Sequence, residues 1–483
     1  MVGRVSRWWL GAFLLFVCAL IATIPWLVDA VDDARVAPRQ LSRYVVRRSL
    51  GHNPSIVAFG AWLGETLMRL DRGIARPTEQ RQFRVGAQPQ ADAVNRSTQT
   101  SLNERTVVIV KSSVEASAAI GRASPGDVIT FLPGVYRFTG GYIGVNRPGT
   151  QRQRIVVRAD QPGTVILEMA MVEGFLINVP YWSFENLTIN GACDDHSTCE
   201  HAFHIVGAAT NFISRNNTIS DFNAHFKINA MQDVAPDDGL IENTTLTNRG
   251  IRRTSNPVTP IDLVVASGWT FRKNLITDFI KGEGNLISYG AFAKGGGTNN
   301  VFENNIILCE YLLRAPGMQA VGLSFGGGGT GAEFCRDRRC ITEQENGVIR
   351  GNLIASCSDD GIYLNRAAAT KILHNTLIDT AGIAVRFPTT SADVEGNLVD
   401  GQIRVRNGAL LRATDNIDTS TLRLFTGSHP LRQYLEIYDA SARRPPPPRR
   451  TLRDAPKVAD LCGSDLKETH AYGAFDDFAA CLR

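Results

Sequence analysis

Seven side chains of this sequence have the types that bind an acidic sugar chain, and they recur at matching positions of short apolar segments. In segments such as Phe226-Lys-Ile-Asn and Ile362-Tyr-Leu-Asn, apolar and polar residues alternate, so that every second side chain of a strand points away from the core. Aromatic rings stack on sugar faces, whereas Arg and Lys bind carboxylates or sulfates. A solvated sheet face carries similar mixtures, and both interpretations stay open. The predicted substrate-binding residues are His204, Lys227, Asp262, Tyr289, Tyr363, Asn365 and Arg386.

A repeated sequence motif identifies the elements that must position these side chains. The motif is an apolar residue, two variable positions, Asn, one more position and another apolar residue. Self-similarity at intervals of 22 to 47 residues indicates a solenoid, and β-branched, aromatic, Gly-punctuated units are typical of strands. We predict a parallel β-helix with one unit per coil. The recurrent Asn is predicted to take the left-handed turn conformation and to form a hydrogen-bonded ladder between coils. The ladder positions are Asn217, Thr244, Asn274, Asn305, Asn352, Asn375 and Asn397.

The remaining segments predict how the chain is divided. The β-helix is predicted over residues 105–420, with a short helix at Val114–Ser124 that covers its first coil. Residues 31–104 are predicted to form a helical juxtamembrane region and a linker. Residues 421–483 are predicted to form a Pro-rich linker and a disulfide-containing tail. A solenoid of this length is one rod rather than several compact domains.

An apolar segment near the N-terminus predicts targeting to a membrane. Trp8–Val28 carries no charge and follows Arg4 and Arg7, which fits a membrane helix with a cytoplasmic N-terminus. A cleaved signal peptide competes with this interpretation, because Val28-Asp-Ala30 resembles a cleavage site. We predict that residues 1–30 are a membrane anchor or uncleaved signal, with the inner membrane as a partner. The β-helix is then expected in the cell envelope, on the periplasmic or extracellular side, or secreted.

Charge and cysteine content narrow the class of protein. The formal net charge is +4, and residues 1–85 contain 12 Arg and 6 acidic residues, which leaves −2 for the rest of the chain. A repeat region with this charge is not a nucleic-acid binder. Apart from Cys18 there are eight cysteines, an even set that predicts disulfides in an exported chain. Zinc binding is the rival interpretation, but no CxxC pair supports it. The connectivity stays open: three pairs are close enough in sequence to close small loops, and a fourth could meet across neighbouring coils. These pairs are Cys193/Cys199, Cys335/Cys340, Cys462/Cys481 and, across coils, Cys309/Cys357.

The opening of the repeat region carries a family resemblance. Ala116–Phe138, a helix followed by Pro-Gly-Asp and Gly-Val-Tyr, resembles the start of right-handed parallel β-helix polysaccharide lyases of the chondroitinase B and alginate lyase type. The Asn-rich coils are similar to this family over residues 106–420. Together with the N-terminal segment, the resemblance implies an all-β chain: a right-handed parallel β-helix solenoid with an N-terminal membrane helix and short helical capping segments.

The same resemblance implies catalytic residues. In this family a Gly-Glu-x-Glu strand leads to a base Lys, and an Arg lies one coil later. Gly282-Glu-Gly-Asn285 resembles that strand, Lys294 follows it, and Leu312-Leu-Arg314 resembles the Arg strand. The resemblance therefore implies that Lys294 removes the C5 proton of a uronate and that Arg314 assists proton donation.

Metal ligands are indicated at two places. The resemblance implies a Ca²⁺ cofactor bound by Glu283, with Asn285 in place of the family's second acidic ligand. Separately, the segment Cys193–Cys199, followed by His201 and His204, has residue types that bind metals, although a disulfide loop overhanging the groove is the commoner outcome.

These observations predict an exported carbohydrate-active protein that cleaves an acidic, uronic-acid-containing polysaccharide by β-elimination. A uronate C5-epimerase is an alternative, because it shares the proton abstraction. A non-catalytic polysaccharide-binding or scaffold protein of the cell envelope is the alternative from another class. Asp359-Asp360 resembles the paired-aspartate strand of polygalacturonase-type hydrolases, but the Gly-His-Gly and Arg-Ile-Lys partners of that pair are absent, which favours a corner of the coil.

Overall fold

The chain divides into a small helical unit and a large β unit. The helical unit is Met1–Ile74 with Thr419–His429, and the β unit is Ala75–Asp418 with Pro430–Arg483. The predicted membrane helix at Trp8–Val28 lies outside the described residues, and no helix within the described ranges is long and apolar enough to cross a bilayer. The computed structural model describes residues 36–72, 81–89, 106–315, 317–327, 329–435, 446–451, 459–465 and 467–482.

The helical unit is held together by a buried ion pair. Nη2 of Arg39 lies 2.7 Å from Oδ1 of Asp71, and neither side chain is accessible to solvent. Gly60 and Gly64 allow the two long helices to approach, since a Cβ at either position would lie within 2.4 Å of the facing side chain. The helices of this unit are Pro38–Ser49, Pro54–Arg72 and Thr421–Phe425.

The β unit is a parallel β-helix, as predicted. Its coils build three parallel sheets of 12, 11 and 10 strands, which we call sheets A, B and C in the order in which each coil passes through them. Sheet A contains Val107–Val110, Val128–Phe131, Ile155–Ala159, Trp182–Glu185, Ile213–Arg215, Leu240–Glu242, Thr270–Arg272, Val301–Glu303, Val348–Arg350, Thr370–Leu373, Ser391–Glu395 and Leu410–Thr414. Sheet B contains Gly134–Gly140, Val165–Met171, Thr188–Gly191, Thr218–Ser220, Thr245–Thr247, Leu275–Thr277, Ile306–Leu308, Leu353–Ala355, Thr376–Ile378, Leu398–Val399 and Ile417–Asp418. Sheet C contains Ile143–Val145, Glu173–Ile177, His201–Val206, Ala224–Asn229, Ile261–Val264, Ile287–Lys294, Gln319–Phe325, Ile362–Asn365, Gly382–Arg386 and Gln402–Arg406.

A short helix covers the first coil. It spans Ser113–Arg122, where the sequence predicted Val114–Ser124, and Oγ of Ser112 caps it by accepting the N–H of Glu115 at 3.2 Å. Ile120 is among the residues that it buries in the core. The smaller elements are the parallel strands Gly297–Thr298, Gln344–Glu345 and Ala367–Ala368, the antiparallel strands Arg449–Thr451 and Thr469–Ala471, and the 3₁₀ helices His196–Thr198, Ala332–Phe334, Pro430–Tyr434 and Phe478–Cys481.

The predicted asparagine ladder is confirmed from Thr244 to Asn397 and extends one coil further. Oδ1 of Asn305 accepts both the backbone N–H and the side-chain Nδ2 of Asn274 at 3.0 Å. The same paired contact joins each following rung, ending at Asn416, which the sequence did not predict. The left-handed residue is not the ladder Asn but the residue before it, such as Lys273 with φ 54°. The prediction that the Asn itself takes this conformation is therefore wrong, and its side chain is needed for the hydrogen bonds between coils.

The predicted disulfides are confirmed, and the structure decides their connectivity: Cys193–Cys199, Cys309–Cys357, Cys335–Cys340 and Cys462–Cys481. Cys309–Cys357 joins neighbouring coils at the corner after sheet B. The C-terminal tail that contains Cys462–Cys481 covers the outer face of sheet B, where Phe478 packs 6.3 Å from Phe83 in a cluster with Ile306. This packing buries the outer face of sheet B beneath the tail.

Candidate functional site

The outward side chains of sheet C form two rows in register. Strands of a sheet are ~4.8 Å apart, so that side chains at paired positions form a continuous line. The first row, from the early coils to the late ones, is Leu176, His204, Lys227, Asp262, Phe292, Ser324, Tyr363, Ala384 and Arg404. A second row, two residues further along the strands, contains Asn229, Lys294, Asn365, Arg386 and Arg406. Six of the seven predicted binding residues therefore lie in register in these two rows of one face.

The strand Ile287–Lys294 is longer than the sequence predicted, and this changes two positions. Phe292 rather than Tyr289 pairs with Asp262, because the strand continues to Lys294. Tyr289 still packs against Phe292, with ring centroids 5.7 Å apart. Lys294 is the last residue of the strand and pairs with Val264. The longer strand therefore places Lys294 on the face itself, two residues beyond the row that contains Asp262.

The early coils of sheet C and an overhanging segment together line a cavity of about 860 Å³. This volume lies within the ~300–1,000 Å³ range of small-molecule and sugar-sized pockets. The sheet contributes the floor, and residues 329–338 contribute the facing wall. The principal polar residues that line it are His201, His204, Lys227, Asn229, Lys294, Thr330, Glu333, Arg336 and Arg338.

The facing wall is fixed by ion pairs. Nη1 and Nη2 of Arg336 lie 2.9 and 2.8 Å from the two carboxylate oxygens of Asp237. Arg338 pairs with Asp233 in the same way, but with one nitrogen. The disulfide Cys335–Cys340 closes the segment that bears both arginines. The wall is thus anchored to the segment that follows the strand Ala224–Asn229, and it narrows the groove from the side opposite sheet C.

Lys294 differs electrostatically from the neighbouring lysine. Its Nζ lies 4.4 Å from the ring centroid of Phe292, and this side-chain nitrogen has no hydrogen bond or ion pair with any residue that the structure describes. Burial lowers the pKa of Lys294; Asp262 and Glu343 oppose this shift, and the charge of Lys227 adds to it. Nζ of Lys227, by contrast, lies 2.9 Å from Oδ1 of Asp262. Lys294 is therefore an amine whose neutral form burial favours, and Lys227 is one held in an ion pair.

Beside Lys227 the structure brings together three side chains with metal-binding donors. One donor atom each of Glu173, His201 and His204 lies within 4.8 Å of the other two. Nδ1 of His204 is 2.9 Å from Oε1 of Glu173, and its Nε2 is 2.9 Å from Oδ1 of Asn229. The close contact with His204 lowers the pKa of Glu173. The sequence indicated His201 and His204 as metal-binding residue types but not Glu173, because the contact with Glu173 depends on the stacking of coils 31 residues apart.

The late coils carry a cationic group of side chains. Asn365 donates to the hydroxyl of Tyr363 at 3.1 Å, and Arg386 donates to the same hydroxyl at 3.4 Å. Arg404 pairs with Asp360, and both side chains are buried. Three predicted binding residues therefore form one connected cluster. Asp360 is paired with an arginine, which agrees with a structural role rather than with the carboxylate pair of a hydrolase.

The prediction that Arg314 lies on a strand is wrong. The strand that stacks on Ile287–Lys294 is Gln319–Phe325, and Arg314 lies in the corner between sheets B and C. Nε of Arg314 is 3.3 Å from the carboxylate of Glu310, and Nη2 is 3.9 Å from that of Asp379. Lys294 is the last residue of its strand in sheet C, whereas the corner that contains Arg314 lies before the first residue of the next strand. The structure therefore does not bring Arg314 and Lys294 together.

Asp278 explains why that corner is not a strand. Its Oδ1 accepts the backbone N–H groups of Leu312 and Leu313 at 2.8 and 2.9 Å, which engages the donors that a strand would use. Burial raises the pKa of Asp278 to about 6, and these hydrogen bonds only partly oppose the shift. Since the pKa is higher in the folded than in the unfolded chain, this carboxyl stabilises the fold fully below ~pH 4 and progressively less as the pH rises through about 6.

We expect Asp278→Asn to remove this pH dependence while its amide oxygen keeps both hydrogen bonds. As the pH rises from about 4 to 7, the free energy of unfolding of the wild type should fall by roughly 1–3 kcal/mol relative to that of the variant. Urea denaturation of both proteins across this range measures the difference. A difference that stays constant with pH would contradict the assignment.

The predicted metal ligands Glu283 and Asn285 do not form a calcium site. Both are exposed on the turn that precedes Ile287–Lys294, at the opposite end of the strand from Lys294. Oδ1 of Asn285 already accepts the N–H of Ile287 at 3.1 Å. Among the described residues, the candidate metal-binding group is Glu173 with two histidines, and it does not include either ligand. Calcium takes about 6–8 oxygen ligands; the residues present do not fit it, and a Ca²⁺ cofactor stays a prediction.

Comparison with solved structures agrees with the fold. The chain resembles the crystal structure of pectate lyase Pel9A with a TM-score of 0.54 and 14% sequence identity, and the match covers 78% of this chain and 98% of that one. A rhamnogalacturonan lyase matches with a TM-score of 0.46 and 14% identity over 63% of this chain and 82% of its own. An alginate lyase from Paenibacillus sp. str. FPU-7 matches with a TM-score of 0.37 and 14% identity over 65% and 99%. No family model and no curated protein matches the sequence. The chain thus has the parallel β-helix fold found in polysaccharide lyases, as the sequence resemblance predicted.

Proposed function

We propose that this protein is a polysaccharide lyase that cleaves uronic-acid linkages by β-elimination, with Lys294 as the base. The observation that carries the proposal is the state of Lys294: a half-buried amine that lines the cavity and has no acidic partner among the described residues. A base must be neutral before it can take a proton, and the lowered pKa increases its neutral fraction near neutral pH.

The remaining side chains of the face suit an acidic sugar chain that lies along sheet C. Lys227 and Arg386 supply positive charge at the early and late coils, where carboxylates of successive sugars would bind. Phe292 and Tyr363 supply flat apolar surfaces between them. The polysaccharide is accordingly expected to be polyanionic, and its binding is expected to weaken with increasing salt.

The reaction can be written with this chain's own residues. Nζ of Lys294 takes the C5 proton of a bound uronate, a double bond forms between C4 and C5, and the bond from C4 to the glycosidic oxygen breaks. The departing oxygen takes a proton from the Lys294 ammonium or from water in the groove. The predicted assistant, Arg314, has no part in this step, because it is engaged with Glu310 and Asp379 at another corner.

Export is part of the same proposal. Four disulfides in the described residues fit a protein that folds outside the cytosol, where its polysaccharide would be found. A membrane anchor at residues 1–30 and a position at the inner membrane stay predictions from the sequence.

The proposal is tested by incubating the purified protein with alginate, polygalacturonate and glycosaminoglycans, with and without added Ca²⁺ after treatment with a chelator. We expect ultraviolet absorbance from new unsaturated uronates with at least one of them. The comparison with and without Ca²⁺ shows whether the predicted cofactor is needed.

Other outcomes distinguish the competing functions. Uptake of solvent deuterium at C5 without cleavage would replace the lyase by an epimerase. Binding without turnover would indicate a polysaccharide-binding or scaffold protein. Neither binding nor turnover with any polyanion would overturn the assignment of the sheet C face as a sugar site.

A further inference from the structure

A cluster of functional side chains at the early end of the sheet C groove has no part in the elimination. We infer that Glu173, His201 and His204 bind a divalent transition-metal ion of the zinc class. Glu173 and His201 are paired across adjacent strands, and His204 lies three residues further along the second strand, where its side chain is again partly exposed. One donor atom of each lies within 4.8 Å of the others, close enough for a single ion to contact all three after small side-chain rotations. The inference does not depend on the reaction proposed above.

Asn229 fixes the histidine tautomer that a metal ion needs. Its Nδ2 donates to the carbonyl of Ala230 at 2.9 Å, which turns Oδ1 toward Nε2 of His204, also at 2.9 Å. An amide oxygen only accepts hydrogen bonds, so Nε2 carries the hydrogen. A ligand histidine in metalloproteins typically donates its other ring N–H to such an oxygen. Asn229 therefore acts as the positioning residue for His204.

The other ring nitrogen then requires a cation. With hydrogen on Nε2, the neutral ring of His204 has its lone pair on Nδ1, which lies 2.9 Å from a carboxylate oxygen of Glu173. Both atoms are acceptors, and two acceptors remain at this distance only with a proton or a metal ion between them. The contact between His204 and Glu173 does not by itself distinguish a proton from a metal ion.

His201 favours the metal ion. Its ring centroid is 5.1 Å from that of His204, and its Nδ1 is buried without a hydrogen-bond partner among the described residues. A buried ring nitrogen without a hydrogen-bond partner is available as a third donor beside the other two side chains. A proton between His204 and Glu173 leaves this nitrogen unsatisfied, whereas a metal ion can bind all three side chains.

The charges around the cluster also favour a cation. Oε2 of Glu200 lies 3.6 Å from Nε2 of His201 and adds a second carboxylate beside Glu173. Lys227, which lines the same cavity, is paired with Asp262 at 2.9 Å, and this pairing offsets its repulsion of a cation.

The donor set indicates the class of ion. Two imidazoles and one carboxylate, with one position left open, are typical of zinc sites that bind a further ligand, whereas calcium prefers oxygen donors alone. His201 and His204 both line the cavity, so the open position would face the groove that contains Lys227. An ion bound there could take a carboxylate or hydroxyl oxygen of a molecule in that groove.

Calorimetric titration of the tag-free, chelator-treated full chain with ZnCl₂ tests the inference, with CoCl₂ as a spectroscopic probe. We expect one Zn²⁺ per chain and visible Co²⁺ absorption of a four- or five-coordinate site. Asn229→Ala keeps all three ligands but loses the orienting oxygen, and should bind about tenfold more weakly. Glu173→Gln and His204→Ala should weaken binding further and abolish the Co²⁺ band.

The matched control is His52→Ala, which removes an exposed histidine of the helical unit and should leave the titration unchanged. Circular dichroism of each variant shows that the fold is retained, and Glu173→Gln preserves the side-chain volume. The inference is overturned if wild type shows no saturable binding of one Zn²⁺ per chain. It is equally overturned if Glu173→Gln and His204→Ala bind as wild type does. Both readouts are independent of polysaccharide cleavage, so failure here leaves the lyase proposal standing, and the converse also holds.

Discussion

Lys294→Ala is expected to lower the rate of β-elimination by roughly 10³-fold, within the ~10²–10⁴-fold contribution of a positioned general base. The side chain is half-buried, its ammonium has only an aromatic contact at 4.4 Å, and burial lowers its pKa. Removing it leaves no amine at the end of the strand Ile287–Lys294. The increase in ultraviolet absorbance with the best polyanion, compared at saturating substrate, measures the effect.

Two further lysine variants separate the base from a mere positive charge. Lys294→Arg keeps the charge but not the ability to become neutral, so it should retain binding and lose turnover. Lys371→Ala removes an exposed lysine from the sheet A strand Thr370–Leu373 and should leave the rate unchanged. Wild-type turnover in Lys294→Ala would transfer the role of base to another group of the groove, with Lys227 as the first to examine.

Asn352→Ala is expected to lower the free energy of unfolding by roughly 4 kcal/mol, since each buried group left without a partner costs ~1–3 kcal/mol. Oδ1 of Asn352 accepts the N–H and Nδ2 of Asn305, both at 2.9 Å. Its Nδ2 donates to the carbonyl of Phe302 and to Oδ1 of Asn375, also at 2.9 Å. The side chain is fully buried, so water cannot replace these bonds. Urea denaturation followed by circular dichroism measures the loss.

Asn416→Ala is the matched control for the ladder. Asn416 is its last rung and is partly exposed, so water can satisfy much of what the substitution removes. We expect a cost of about 1 kcal/mol or less there. Equal losses at both positions would mean that burial of the ladder does not determine its contribution.

The sequence by itself determined the architecture and the order of its parts. The repeated Asn motif gave the coils, because the apolar positions on both sides of each Asn must point inward whatever the neighbouring coils do. It also predicted the ladder and indicated the disulfide Cys309–Cys357, since both link positions that recur at equivalent places in successive coils. Alternation within a strand likewise placed His204 and Lys227 on the outer face.

Only the tertiary structure decided which outward side chains meet. Alternation fixes whether a side chain points in or out, but the register between coils depends on the irregular corners, and shifting one strand exchanges its neighbours. The strand Ile287–Lys294 therefore placed Phe292 beside Asp262 and brought Lys294 onto the face. The corner held by Asp278 kept Arg314 away from Lys294. The approach of Glu173 to His204 across 31 residues follows from the same register, because hydrogen bonds between coils, rather than local sequence, bring the two strands together.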